Sequence, residues 1–434
     1  GASNPQIRFG EDLMSRVSYV MMNPDGREAM TRAVRQAVSD LVDQVCAEGG
    51  VARSDILDSV FVANPIMHHL FLGIDPTELG QAPFALAVSG AVSCPAKDIE
   101  LGLNPGARTY LLPCIAGHVG ADAAGATLAE GPHRQDKMML MVDVGTNAEI
   151  VLGNRERTVA ASSPTGPAFE GAEISCGQRA APGAIERVRI DATTLEPRFK
   201  VIGVEQWSDE EGFTEAADKT GITGICGSAI IEVVAEMYLS GVISTDGVVD
   251  GGMAAKSPRV LANGRTFSYL LHDGAQRITV TQNDVRAIQL AKAALYAGIK
   301  LLMEKLGVEA VDTIRFAGAF GSFIDPKYAM VLGLIPDCDL AEVKAVGNAA
   351  GTGALMALLN RGHRREIEET VRVIEKIETA LEPNFQQLFI DAMALPNKVD
   401  PFPKLSAVVT LPERKVLSDG DGEGGGRRRR RSRE

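Results

Sequence analysis

Clustered cysteines are missing from this chain: no two of its six lie closer than twenty positions. That spacing excludes the C-x-x-C knuckles of zinc ribbons and the thiolate sets of ferredoxin-type clusters within these residues. The six histidines form no H-E-x-x-H pair, and His68 and His69, being adjacent, point to different faces of a helix. Aromatic residues make up only 5% of the chain. No apolar run reaches the ~18–20 residues of a membrane span and no signal peptide is recognisable, so a cytoplasmic protein without membrane contact is expected. Basic charge is scarce too. Lys and Arg number 44 against 56 Asp and Glu, a net charge of −12. The last eight residues hold six Arg and one Glu, or +5, which leaves −17 on the rest. An acidic body excludes broad nucleic-acid binding. The stretch GDGEGGGRRRRRSRE is expected to be a disordered, solvated tail, with docking to an acidic surface as the alternative. Also missing are a P-loop, a strand–GxGxxG–helix dinucleotide unit and a G-x-S-x-G elbow.

What is present is glycine, 45 residues of it, in a chain of 434 residues that is 45% hydrophobic. That combination favours an α/β protein with many tight strand-to-helix turns, in two or three domains at roughly 150 residues each. In GREAMTRAVRQAVSDLVDQVCAEGG, Met30, Val34, Val38, Leu41 and Val45 share one helical face, stopped by Gly49-Gly50. A strand is expected in DILDSVFVAN, a short helix ending at Gly73, and then a strand and a small-residue helix in RTYLLPCIAGHVGADAAGATLAEG. LMVDV and AEIVLG read as two strands joined by a tight turn, followed by a third in RTVAASS. A loop-rich insert, SSPTGPAFEGAEISCGQRAAPGAIERV, comes next. Glycine turns then enter helices at GICGSAI and VGNAAGTGA, and Thr281 with Asp284 begins the longest helix in the manner of a capping box.

Chemistry concentrates at these turns. A strand ending in Asp143-x-Gly145-Thr146 puts a carboxylate at a sheet's carboxyl edge, where open α/β sheets bind ligands. Gly145 lets the backbone approach a phosphate, Thr146 and Asn147 add a hydroxyl and an amide, and Asp143 suits Mg²⁺ held through water. An ordinary hairpin with turn-favouring Asp and Asn is the alternative. Small residues at Gly318, Ala319 and Gly321 leave room for a ribose or planar ring, or else serve close packing. Gly347 with Asn348 has the same two readings. Gly227 and Ser228 would present a helix N-terminus to a phosphate or ribose. Glu170 and Glu173 could act in acid–base chemistry, and Cys176 is either structural or redox-active.

Together these stretches resemble the acetate and sugar kinase/Hsp70/actin (ASKHA) superfamily. More narrowly, NPQIRFGEDLMSRVSYV, LMVDVGTNAEIVLG, GPAFEGAEISCGQRAAPGAI, GICGSAIIEVVAEM, AGAFGSFID and VGNAAGTGALMALL are similar to the reductive activators of corrinoid proteins. The resemblance implies a two-lobed α/β fold around an ATP cleft. Residues 1–136 would form a first actin-like lobe lacking its opening hairpin, 137–400 a second lobe with the nucleotide turns, and 401–434 an extension with the Arg-rich tail. It implies ATP-dependent return of a Co(II) corrinoid to Co(I) in a methyltransferase system. Asp143 would be both catalytic and Mg²⁺-holding, and Glu170 would stand in the signature loop. Gly145, Thr146, Asn147, Gly227, Ser228, Gly318, Ala319, Gly321, Gly347 and Asn348 would meet ATP. A 2Fe–2S cluster is expected only in an upstream domain, so this part alone would not transfer electrons. The expected partners are ATP and a corrinoid protein, with a homodimer left open. A small-molecule kinase of the same fold and a non-enzymatic, nucleotide-regulated binding module are the alternatives.

Overall fold

The computed structural model describes residues 1–413 apart from Glu11, so the expected Arg-rich tail lies outside the described residues. The chain opens with α1 (Leu13–Met22), started by an Asp12/Ser15 capping box. Next comes α2 (Gly26–Gly49), which Gly50 ends in the left-handed conformation at φ 64°. On the expected face of α2 Met30 is fully buried, but Val45 is exposed, because the helix outruns the core beneath it. β1 (Asp58–Phe61), β2 (Val92–Pro95) and β3 (Arg108–Leu111) form a sheet in the order β1-β3-β2. α3 (Pro65–Leu72) runs from its Asn64 cap to Gly73, and α4 (Ala121–Glu130) is the small-residue helix.

A six-stranded sheet dominates the rest. Its order is β14-β13-β4-β5-β6-β15, with β4 (Met139–Val144), β5 (Ala148–Gly153), β6 (Thr158–Ser163), β13 (Thr313–Ala317), β14 (Val343–Gly347) and β15 (Glu375–Lys376). β4, β5 and β6 are an antiparallel meander, and β13 lies parallel between β4 and β14. Side chains alternate along a strand, so β4 sends Leu140, Val142 and Val144 to one face and Met141 to the other, and both faces are buried. The first face packs on α6 (Gly227–Leu239) and α7 (Gln282–Leu306). The second packs on α4, α10 (Ala349–Leu359) and α11 (Arg361–Val373). α4 and α10 cross almost backbone to backbone: a Cβ on Gly353 would sit 1.9 Å from the Gly125 carbonyl oxygen.

Two smaller sheets were not anticipated. The loop-rich insert ends in β7 (Ala184–Ile190), which pairs with β8 (Pro197–Val201) and β9 (Gly224–Ile225), while α5 (Phe213–Thr220) lies between β8 and β9 in the chain. Buried Val188 and Ile190 alternate with Arg187 and Arg189, a register shift sets Ile185 apart from them, and the Gly/Ala/Pro content just upstream hides the strand. β10 (Val260–Asn263), β11 (Thr266–Asp273) and β12 (Arg277–Thr281) make an antiparallel sheet leading into α7. At the end of β13 the glycine turn winds into α8 (Gly318–Gly321), which precedes α9 (Pro326–Leu332).

Candidate functional site

Register builds the site. Asp143 pairs with Glu149 across the hairpin and with Ala317 of parallel β13 on the other side. Gly318 therefore lies against Asp143: its φ is 82°, and a Cβ there would come within 2.2 Å of Asp143 Oδ1. Only glycine fits that position. From the opposite side α4 brings Asp122, whose Oδ1 accepts the Ala123 N–H at 2.9 Å. A hollow of about 290 Å³ opens between these elements, with Asp122, Asp143, Glu149 and the Gly145–Asn147 turn in its wall and Arg16 and Asn64 opposite.

The three carboxylates crowd one another. Burial first, and then Asp143, push the Asp122 carboxyl up to about 6. Burial raises Asp143 as well, and it holds Glu149 well above the ordinary range with Asp122 and Asp143 adding to the effect. Arg16 stands in the opposite wall, against four carboxylates, Asp12, Asp122, Asp143 and Glu149. Such a set calls for a counter-charge. Among the described residues no three His, Cys, Asp or Glu side chains enclose a metal site by themselves. The donor set instead fits Mg²⁺, which commonly takes one or two carboxylates and completes its shell with water and phosphate.

The phosphate-type turn is held from behind. Thr165 donates its hydroxyl to the carbonyls of Gly145 at 2.7 Å and Thr146 at 3.1 Å, and the Gly166 N–H donates to the Thr146 carbonyl at 2.9 Å. Among the described residues the N–H groups of Gly145, Thr146 and Asn147 go to no backbone carbonyl, the condition for an anion nest. The Thr146 hydroxyl donates to Glu170 Oε1 at 2.9 Å, which brings the signature loop to the turn.

The remaining candidates divide. A Cβ on Gly227 would lie 2.1 Å from the Phe169 carbonyl oxygen and 2.5 Å from the Phe320 ring, so the start of α6, the signature loop and α8 meet at that point. Ser228 is buried and donates its hydroxyl to the Glu186 carbonyl at 3.2 Å. Ala319 is exposed, and Gly321 is buried over the Phe316 backbone. Gly347, at φ 63°, faces Ser322, and the Asn348 side chain caps α10 by accepting from the Gly351 N–H at 2.9 Å. Glu173 is exposed. Cys176 sits in a segment tied to β9, where its carbonyl accepts the Ile225 N–H at 2.8 Å. Asp122 and Glu149 escaped the sequence reading. Each carried a signal: Asp122 is the one carboxylate in the first turn of a helix of small residues, and Glu149 is the one charge in the apolar run AEIVLG.

Comparison with known proteins comes next. A family profile described as the C-terminal domain of RACo, the ASKHA domain, matches residues 137–406. One described as the RACo middle region matches residues 1–135. The corrinoid activation enzyme RamQ of Eubacterium limosum is 35% identical over 399 residues, covering 89% of this chain and 64% of RamQ. A Co(II) methylated amine-specific corrinoid protein reductase of Methanosarcina barkeri is 27% identical over 276 residues, 61% of this chain and 46% of that one. A solved structure of a reductive activator for corrinoid, iron-sulfur protein superposes with a TM-score of 0.75 at 33% identity, covering 91% of this chain and 61% of its own. The chain thus spans less than two thirds of the length of each of these relatives.

Proposed function

The chain belongs to the RACo family, with both the middle region and the C-terminal ASKHA domain matched, and from that premise we propose that it is the ATP-binding part of a reductive activator of a corrinoid protein. The observation that carries this reading is the meeting of Asp143, the Gly145–Asn147 turn and Gly318 in a hollow where carboxylates outnumber the arginine. Asp143 and Asp122 would hold Mg²⁺ through water. The free N–H groups of the turn would receive phosphate oxygens, with Thr146 kept in place by Glu170. Ala319, Gly321 and the Gly347–Asn348 turn would receive ribose and base, with Gly227 and Ser228 at the start of α6 behind them. Bound Mg²⁺ would supply positive charge to the phosphates and relieve the crowding of the three carboxylates. ATP binding would thereby tighten α4 against the β4–β5 turn, and hydrolysis would loosen it.

In this reading the partner is a corrinoid protein of a methyltransferase system. Reduction of Co(II) to Co(I) takes one electron per cobalt. A low-potential reductant would supply that electron. The test uses the full-length protein with its cognate corrinoid protein, Mg·ATP and reductant, following the cobalt absorbance. Conversion to Co(I) should require ATP. Asp143→Asn should weaken Mg·ATP about 10- to 100-fold, the range for loss of a metal-site partner, and slow conversion accordingly. Reduction at equal rates without ATP would overturn the proposal.

A further inference from the structure

Across Leu13 and Asn147 from the carboxylate hollow lies a second one, of about 260 Å³. That is near the lower end of small-molecule pockets, at roughly 300 Å³. Its apolar wall includes Leu13 and Met14 of α1, Phe84 and Pro164. Its polar lining residues are Asn147, Ser162, His118 and Glu378, with Thr379, whose hydroxyl donates to the Ser162 carbonyl at 3.1 Å. The side chains of Asn147, Ser162, His118 and Glu378 form no hydrogen bond or ion pair among the described residues. Glu378 precedes a short 3₁₀ turn without capping it. Half-buried polar groups without a hydrogen-bond partner, set round an apolar hollow, are the pattern of a ligand site.

The wall is held firmly. Phe84 is a non-glycine residue at φ 57°. Its carbonyl oxygen occupies the place of a side chain on Gly117, where a Cβ would lie 2.1 Å away, and its ring centroid is 4.3 Å from that of His118. Backbone strain fixed by close packing in a pocket wall is a mark of a functional site.

Charge selects the ligand. Burial holds the His118 ring below its ordinary range, with Glu378 opposing as the smaller cause, so the imidazole is neutral at pH 7. Glu378 then carries the hollow's charge. In the adjoining hollow Asp12, Asp122, Asp143 and Glu149 outnumber Arg16, so its net contribution is negative. An anion would be repelled, and a neutral molecule would leave Glu378 without a counter-charge. We propose that this hollow binds a small alkylammonium ion, its charge on Glu378 and its carbon chain against Leu13, Met14 and Phe84. The hollow shares Asn147 with the proposed nucleotide turn, but its occupation by an ammonium ion does not require nucleotide.

The test titrates the whole chain, free of nucleotide, with n-butylammonium, butyrate and 1-butanol, by calorimetry and ligand-observed NMR at low salt. Saturable binding of n-butylammonium is expected, with butyrate and butanol at least about tenfold weaker. Glu378→Gln should weaken the ammonium about tenfold or more and leave butanol unchanged. Phe84→Ala should weaken every probe that binds. Circular dichroism and the thermal midpoint verify that each variant is folded. Absence of saturable binding, equal affinity for the three probes, or undiminished ammonium binding in folded Glu378→Gln would overturn the proposal. None of these outcomes bears on ATP binding, which is measured separately.

Discussion

Asp143 ends an apolar strand, yet its neighbours give it its meaning. Alone it is a turn aspartate. With Asp122 and Glu149 it shares a field that burial makes unfavourable for ionised carboxylates. A divalent cation entering this hollow must displace the proton that Asp122 retains up to about pH 6. Affinity for Mg·ATP should therefore rise with pH and level off above that value. From pH 7 to pH 5 the loss expected from one such proton is about tenfold. Asp122→Asn should lower the affinity at pH 7 and flatten the step between pH 5 and pH 7. Calorimetric titration of wild type and variant at several pH values checks both, and an unchanged step in the variant would remove Asp122 from the site.

Elements explain how these residues meet and why only part of the arrangement could be read in advance. The β4–β5 hairpin is local: its period-two pattern and Gly-Thr-Asn tip lie within one short stretch, and the register joins Asp143 to Glu149 as that pattern requires. The start of α7 was equally legible, with the Thr281 N–H donating to Asp284 Oδ2 at 2.7 Å. What the sequence did not reveal is that the other oxygen of Asp284 accepts both the N–H and the hydroxyl of Ser175, anchoring the signature loop. The approach of Asp122 was hidden for a similar reason. It depends on α4 packing against the six-stranded sheet and crossing α10 at Gly125 and Gly353, a contact between distant segments that leaves no periodic trace. Gly353→Ala must push these backbones apart. A cost of about 1–3 kcal/mol in urea denaturation is expected, the range for overpacking. Because α4 carries Asp122, weaker Mg·ATP binding should accompany it. A variant with wild-type stability would show that the crossing gives way freely.

Across the whole molecule, buried groups of opposite character set the pH response. His68 is buried, and neither ring nitrogen has a well-formed hydrogen bond among the described residues. Burial foremost, and then His69, lower it from 6.5 to about 4, and the Leu112 backbone opposes this only weakly. A folded-state value below the unfolded one means stability present above pH 6.5 and lost as pH falls toward 4, on the order of 3 kcal/mol in full. Asp122 has the reverse sign. Its raised value gives stability present below pH 3.8 and lost as pH rises through about 6. The two slopes oppose each other over nearly the same window, so in the nucleotide-free chain each offsets part of the other between pH 4.5 and 6.5. Saturating Mg·ATP removes one side of this balance, because the cation supplies the charge that ionised carboxylates lack. The midpoint should then climb with pH across the window. In His68→Leu that climb should shrink, while the nucleotide-free variant should lose stability as pH rises. Thermal scans of both proteins, with and without Mg·ATP, separate the two contributions. Equal pH profiles for wild type and His68→Leu would show that the buried histidine does not set the acid limb.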